Sequence, residues 1–169
     1  FPDINGLEDT LQLNDPRFVI KNKTSDFIRI LNCNKNTHWV TVVGGNKIAN
    51  EDVCLYDSMT RSQIDCQLGE AVLRMFEPGK EIVYFRIQKT QKQSLTLCGY
   101  FALANTTALC FGLDPETLVF DQREIIEHFI SCIDKREVTM FPHTVKRINN
   151  TGHLLLSYKR RKIITKYKH

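Results

Sequence analysis

Three things are missing from this sequence, and each absence narrows its class. No apolar run approaches the ~20 residues that cross a bilayer, and no signal peptide opens the chain, so no membrane contact is expected. No CxxC pair and no His/Cys cluster at zinc-ligand spacing is present, which argues against a structural metal and leaves no cofactor to expect. No acidic residue follows Lys146, so the last stretch carries the positive excess of the net +4 charge and the body before it is net negative.

What is present describes one globular unit. A chain of 169 residues with 42% hydrophobic and 25% charged residues can bury a proper core but is too short for two full domains. The expected division is a domain over residues 1–140 and a basic extension over 141–169. The opening at Phe1 rather than Met reads as a piece cut from something longer. Six cysteines stand at 33, 54, 66, 98, 110 and 132. Cys54, Cys110 and Cys132 lie in apolar stretches, where free cysteine behaves as a small hydrophobe, and this favours a reducing, intracellular compartment, nuclear or cytoplasmic. The sequons at Asn22 and Asn105 read as chance matches, since Asn105 falls in a stretch expected to be a buried helix. The basic end, "KRINNTGHLLLSYKRRKIITKYKH", fits a solvated segment, a nuclear targeting signal or a weak nucleic-acid contact. Leu154, Leu155, Leu156, Ile163 and Ile164 suggest that it also docks.

The chain mixes α and β patterns. "FIRILNC" and "HWVTVVGG", separated by "NKNT", read as a hairpin, and "DVCLYDS" as a third strand. "SQIDCQLGEAVLRMFEPG" places Ile64, Leu68, Ala71, Val72 and Met75 near a helical period and stops at Pro78-Gly79. "EIVYFRIQ" is a fourth strand. From Gly99 to Phe111 almost every residue is apolar or small, as in a central helix enclosed on most sides, with Gly112 after it. A further helix is expected from near Asp121, with Ile125, Ile126, Phe129, Ile130 and Ile133 as its buried stripe. The fold class is therefore α+β.

Cys98 follows a short polar loop and opens the central helix, where unpaired backbone N–H groups and the positive end of the dipole favour a thiolate. That position suits a nucleophile. Gly99 would let a substrate carbonyl approach the backbone. A thiolate nucleophile needs a histidine, itself oriented by a carboxylate or amide. His143, His153 and His169 lie in or near the basic end, and His128 falls on the polar side of a helix beside Glu127. His38 remains, at the start of a strand. Asp57, at the end of the next strand, stands at a similar level and could hold the His38 ring in one tautomer.

These motifs, "HWVTVV", "VCLYDS" and a glutamine shortly before "CGYFALANTTALCFG", resemble the ubiquitin-like protease (SUMO or sentrin-specific protease) family of papain-like cysteine proteases. The similarity is closest to invertebrate members associated with mobile elements, which share "FP-x-I-x-GLQ-x-T" near the start and "FG-x-DP…FDQ" after the helix. It covers residues 1 to about 135 and leaves the basic end outside. The resemblance implies a papain-like fold, a central mixed β-sheet flanked by helices, with the nucleophile at the N-terminus of the buried central helix. It makes His38 the general base, Asp57 its orienting partner and Cys98 the nucleophile. Trp39 would cover a narrow channel for a Gly-Gly tail, and a glutamine with the Cys98 backbone N–H would form the oxyanion hole.

The sequence departs from the family pattern in three places. Lys92 occupies the usual glutamine position six residues before the cysteine, so Gln93, at five, is expected to take the role, with Gln91 at seven. Leu97 replaces the usual aspartate before the nucleophile. Trp39 is the only tryptophan, so the aromatic segment that closes the channel from its other side is expected upstream of Phe1. The implied activity is a cysteine isopeptidase that cleaves after the C-terminal Gly-Gly of SUMO, ubiquitin or a relative, with the modifier and its conjugates as partners. Two other readings stand beside it: a modifier-binding module that does not cut, and a nucleic-acid-associated protein acting through its basic end.

Overall fold

The computed structural model describes residues 27–33, 37–45, 52–59, 63–76, 79–88, 90–92, 96–146 and 154–160. Its centre is a five-stranded mixed sheet. The apolar hairpin supplies β1 (Ile28–Cys33) and β2 (His38–Gly44), antiparallel with Leu31 opposite Val40. β3 (Val53–Tyr56) runs antiparallel to β2, and β4 (Ile82–Gln88) parallel to β3. The crossover from β3 to β4 carries helix α1 (Cys66–Leu73), the long connection that a parallel pair requires. Asp65 caps α1, its carboxylate accepting the Leu68 N–H at 3.0 Å.

Alternation along β2 divides the core. Val40 and Val42 join Leu31, Leu55 and Phe85 under Leu68, Ala71 and Val72 of α1. Thr41, of opposite parity, donates instead to the Ala102 carbonyl of helix α2 (Cys98–Cys110) at 2.8 Å. The two helices thus cover opposite faces of the sheet. A second cluster surrounds α2 and joins Phe101, Ala104 and Ala108 to Leu118, Phe120, Ile125 and Phe141. Phe85 and Phe101 are both fully buried, each contributing ~1.5–3 kcal/mol from apolar burial. After α2 come β5 (Leu118–Phe120), helix α3 (Ile125–Lys135) and β6 (His143–Val145), with β5 and β6 paired as a small antiparallel sheet.

Three expectations about burial need correction. In α3 only Ile125 is buried, while Ile126, Ile130 and Ile133 of the expected inner stripe are exposed, Ile133 at 59%. The helix packs instead through Ile125, His128, Phe129 and Cys132, a face turned away from the line of Ile126, Ile130 and Ile133, so that line points outward. Cys110, read as core, is exposed at the end of α2, and Cys132 is half-buried. His128 does not simply face solvent: its ring packs on Phe141, centroids 4.8 Å apart. Asn105 is buried as expected.

The basic end docks. Residues Leu154–Lys159 form β7, antiparallel to β4 at the edge of the main sheet. Tyr158 lies over Gly69 of α1, and its hydroxyl donates to Glu70 at 3.0 Å. A Cβ on Gly69 would stand 2.2 Å from the Tyr158 ring, so only glycine permits this approach. Ile163 and Ile164 lie outside the described residues. Among the described residues no helix is long and apolar enough to cross a membrane.

Candidate active site

Strand directions bring three segments to one end of the sheet. β2 begins there with His38; β3, antiparallel to it, ends there before Asp57; β4, parallel to β3, ends there and leads toward Cys98. The carboxyl ends of parallel strands are a common place for sites in open sheets.

His38 and Asp57 are joined directly. His38 Nε2 lies 2.6 Å from Asp57 Oδ1, with both residues about 95% buried or more. With Asp57 ionised, that nitrogen carries the proton and the bond orients the ring, leaving Nδ1 as the basic nitrogen of a neutral imidazole. Asp57 is held in turn. Its Oδ1 also accepts the Met59 N–H at 2.8 Å, and its carbonyl accepts from Thr90 Oγ1 at 2.7 Å. Thr90 therefore anchors the loop after β4 to the aspartate. Nothing in the sequence pattern singled it out, because its role depends on a contact 33 positions away.

Cys98 is the first residue of α2 and is partly exposed. Leu97 precedes it with no side-chain cap, so no side chain at that position occupies the first N–H groups of the helix. Among the described residues no hydrogen bond links the Cys98 thiol to His38. The helix start is located against β2 by its neighbour: a Cβ on Gly99 would meet Trp39 Cδ1 at 3.7 Å. Trp39 and Gly99 thus come together, as do His38 and Asp57.

Gln93 lies outside the described residues. Gln91 is engaged elsewhere. Its Oε1 accepts the Phe120 N–H at 2.7 Å and its Nε2 donates to the Phe120 carbonyl at 3.1 Å, so the amide continues β5 like an added strand residue. Both ends of the amide are thereby held at Phe120, with one Nε2 proton left over. The exposed Lys92 carbonyl accepts from Gln122 Nε2 at 3.4 Å.

Beside Cys98, an apolar cleft of about 410 Å³ lies between β1, β2, α2 and α3, lined by Ile30, Trp39, Gly99, Tyr100, Leu103 and Phe129. Tyr100 and Phe129 meet edge-on across it, centroids 5.5 Å apart. Ile30, Tyr100, Leu103 and Phe129 were not foreseen as site residues, since each has the pattern of an ordinary core position. Among the described residues, no group of three His, Cys, Asp or Glu side chains is placed to hold a metal ion. No family model, no curated protein and no solved structure matches this chain.

Proposed function

We propose that this chain is a papain-like cysteine isopeptidase that removes a ubiquitin-like modifier by cleaving after its C-terminal Gly-Gly. The observation that carries this reading is the buried His38–Asp57 pair at the sheet end toward which the chain carries Cys98. Asp57 holds Nε2 of the ring, so Nδ1 takes the thiol proton and the Cys98 thiolate attacks the glycine carbonyl. The Cys98 N–H and the Gln93 amide stabilise the developing oxyanion. His38 returns the proton to the departing amine, leaving a thioester. Water, deprotonated by His38, then releases the modifier. The cleft beside Trp39 and Gly99 adds an apolar surface next to Cys98 against which part of a substrate can rest.

The test is a panel of SUMO, ubiquitin and related modifiers carrying a C-terminal propargyl or vinyl-sulfone group. Covalent capture by the wild type and none by Cys98→Ala is the expected result. A folded protein that captures no modifier would defeat the proposal.

A second reading, binding without cleavage, draws on the bonds that hold the Gln91 amide at Phe120, away from the role the pattern asks of a glutamine near Cys98. In that case the panel would show noncovalent affinity without adduct. The basic end as a nucleic-acid contact would instead appear as salt-dependent binding.

A further inference from the structure

The main sheet ends at β7, which pairs with β4 on one side and, among the described residues, with no strand on the other. Just past β7, the Arg160 N–H donates to the Glu81 carbonyl at 3.0 Å. In an antiparallel pair, residues that exchange hydrogen bonds alternate with residues that do not. Leu154, Leu156 and Tyr158 share the parity of Arg160 and so turn their main-chain groups toward β4. Leu155, Ser157 and Lys159 turn theirs outward. The side chains of these three are exposed as well, Leu155 at 60%, whereas Leu156 and Tyr158 pack on the core beneath α1. Tyr84, opposite Ser157 on β4 and also exposed, widens the apolar surface beside Leu155.

We propose that the outer edge of β7 is a docking site for an extended acidic peptide, which adds to the sheet as a sixth strand. Edge strands are commonly blunted by charges, proline or a bulge, and the six residues of β7 carry a single charge, Lys159. The outward N–H and C=O groups of Leu155, Ser157 and Lys159 supply the main-chain bonds of strand addition. Side chains supply the choice of partner. Leu155 and Lys159 lie on one face about 13 Å apart, so the peptide presents an apolar residue to the first and, four positions along, a carboxylate to the second.

The charge of the region selects this occupant. Arg160 is engaged with Glu70 at 3.3 Å, while the Lys159 side chain makes no ion pair among the described residues. Arg161 and Lys162 follow in the sequence, and no acidic residue occurs after Lys146. A second copy of this chain, paired through its own β7, would therefore bring no carboxylate to Lys159. The proposal does not depend on the chemistry of Cys98.

The test uses a fluorescein-labelled, threonine-rich octapeptide with isoleucine and glutamate four positions apart, titrated with the full chain and read by anisotropy. Saturable binding is expected, with slowed hydrogen exchange at Leu155, Ser157 and Lys159. Two further peptides, N-methylated at odd or at even positions, should differ sharply, since only one parity faces β7. Ser157→Pro removes an outward N–H and no bond to β4. It should weaken binding roughly tenfold, the upper scale of one lost hydrogen bond. Lys159→Glu should weaken the glutamate peptide by roughly two- to five-fold and favour a lysine-substituted one, the scale of one cross-strand charge pair. Absence of saturable binding overturns the proposal, as does equal binding of the two N-methylated peptides. A concentration-dependent dimer that Ser157→Pro abolishes would assign the edge to a second copy and overturn it too. Should Ser157→Pro lose β7, the N-methylated peptides decide.

Discussion

Replacing Asp57 separates the structural from the chemical role of the buried pair. Oδ1 accepts two bonds, from His38 Nε2 at 2.6 Å and from the Met59 N–H at 2.8 Å, where only 5% of the aspartate is exposed. Alanine leaves both donors without this acceptor, at ~1–3 kcal/mol for each buried unsatisfied group, so Asp57→Ala should lose about 2–6 kcal/mol. Asparagine, with its amide oxygen in the place of Oδ1, keeps both bonds and should lose less than alanine. Urea unfolding followed by fluorescence of Trp39, the only tryptophan and the neighbour of His38, measures the difference. In the proposed chemistry, modifier capture by Asp57→Ala should slow by roughly 10²-fold or more, the scale of a lost positioning contact. Asp57→Asn should retain more, since an amide orients the imidazole in papain-like cysteine proteases. An alanine variant as stable as the wild type would refute the reasoning, and so would an asparagine variant as unstable as alanine.

Other perturbations test how the sheet and helices hold the site. Gly69→Ala gains ~1 kcal/mol of helix propensity, but its Cβ would meet the Tyr158 ring at 2.2 Å. The clash should dominate, with a net loss of about 1–2 kcal/mol from overpacking and faster hydrogen exchange confined to β7; unchanged exchange there would contradict the packing. Thr41→Val removes the buried hydroxyl that donates to the Ala102 carbonyl at 2.8 Å, and should cost about 1–2 kcal/mol in urea unfolding with little change in secondary structure. Alkaline titration gives a signed expectation. Burial, then the bond to Glu70, pushes the Tyr158 hydroxyl up to about 12, and burial with Asp114 nearby pushes Tyr56 up as well. Both groups hold their protons more tightly folded than at the free-tyrosine value of about 10, so their stabilisation is complete below pH 10 and is lost as pH rises through the folded values. Tyr158→Phe should flatten the fall of melting temperature between about pH 10 and about pH 12; an unaltered slope would exclude Tyr158 as its source.

The exposed stripe on α3 shows where periodicity stops being informative. Ile126, Ile130 and Ile133 carry the helical spacing of a buried face, yet all three are exposed. Periodicity states which residues share a side of a helix, not which part of the helix the opposing surface covers; here Ile125, His128, Phe129 and Cys132 face the body instead. The same limit explains Cys110, at the end of α2, where the apolar run continues beyond the core. It also explains Gln91. Its spacing from Cys98 made it one of two glutamines near the required position, but only the approach of β5 decided that its amide would bind Phe120.

The sequence by itself determined the local elements: the β1–β2 hairpin, β3, β4, the apolar central helix, and the placing of His38 and Asp57 at strand ends. These follow from side-chain alternation, turn residues and apolar spacing, all properties of a few consecutive residues. Tertiary structure alone decided the parallel pairing of β4 with β3, the docking of Leu154–Lys159 as β7, the anchoring of Asp57 by Thr90, and the approach of Thr139 to His128. These partners lie opposite one another through contacts that depend on how whole elements pack, and no local pattern records what a face will meet.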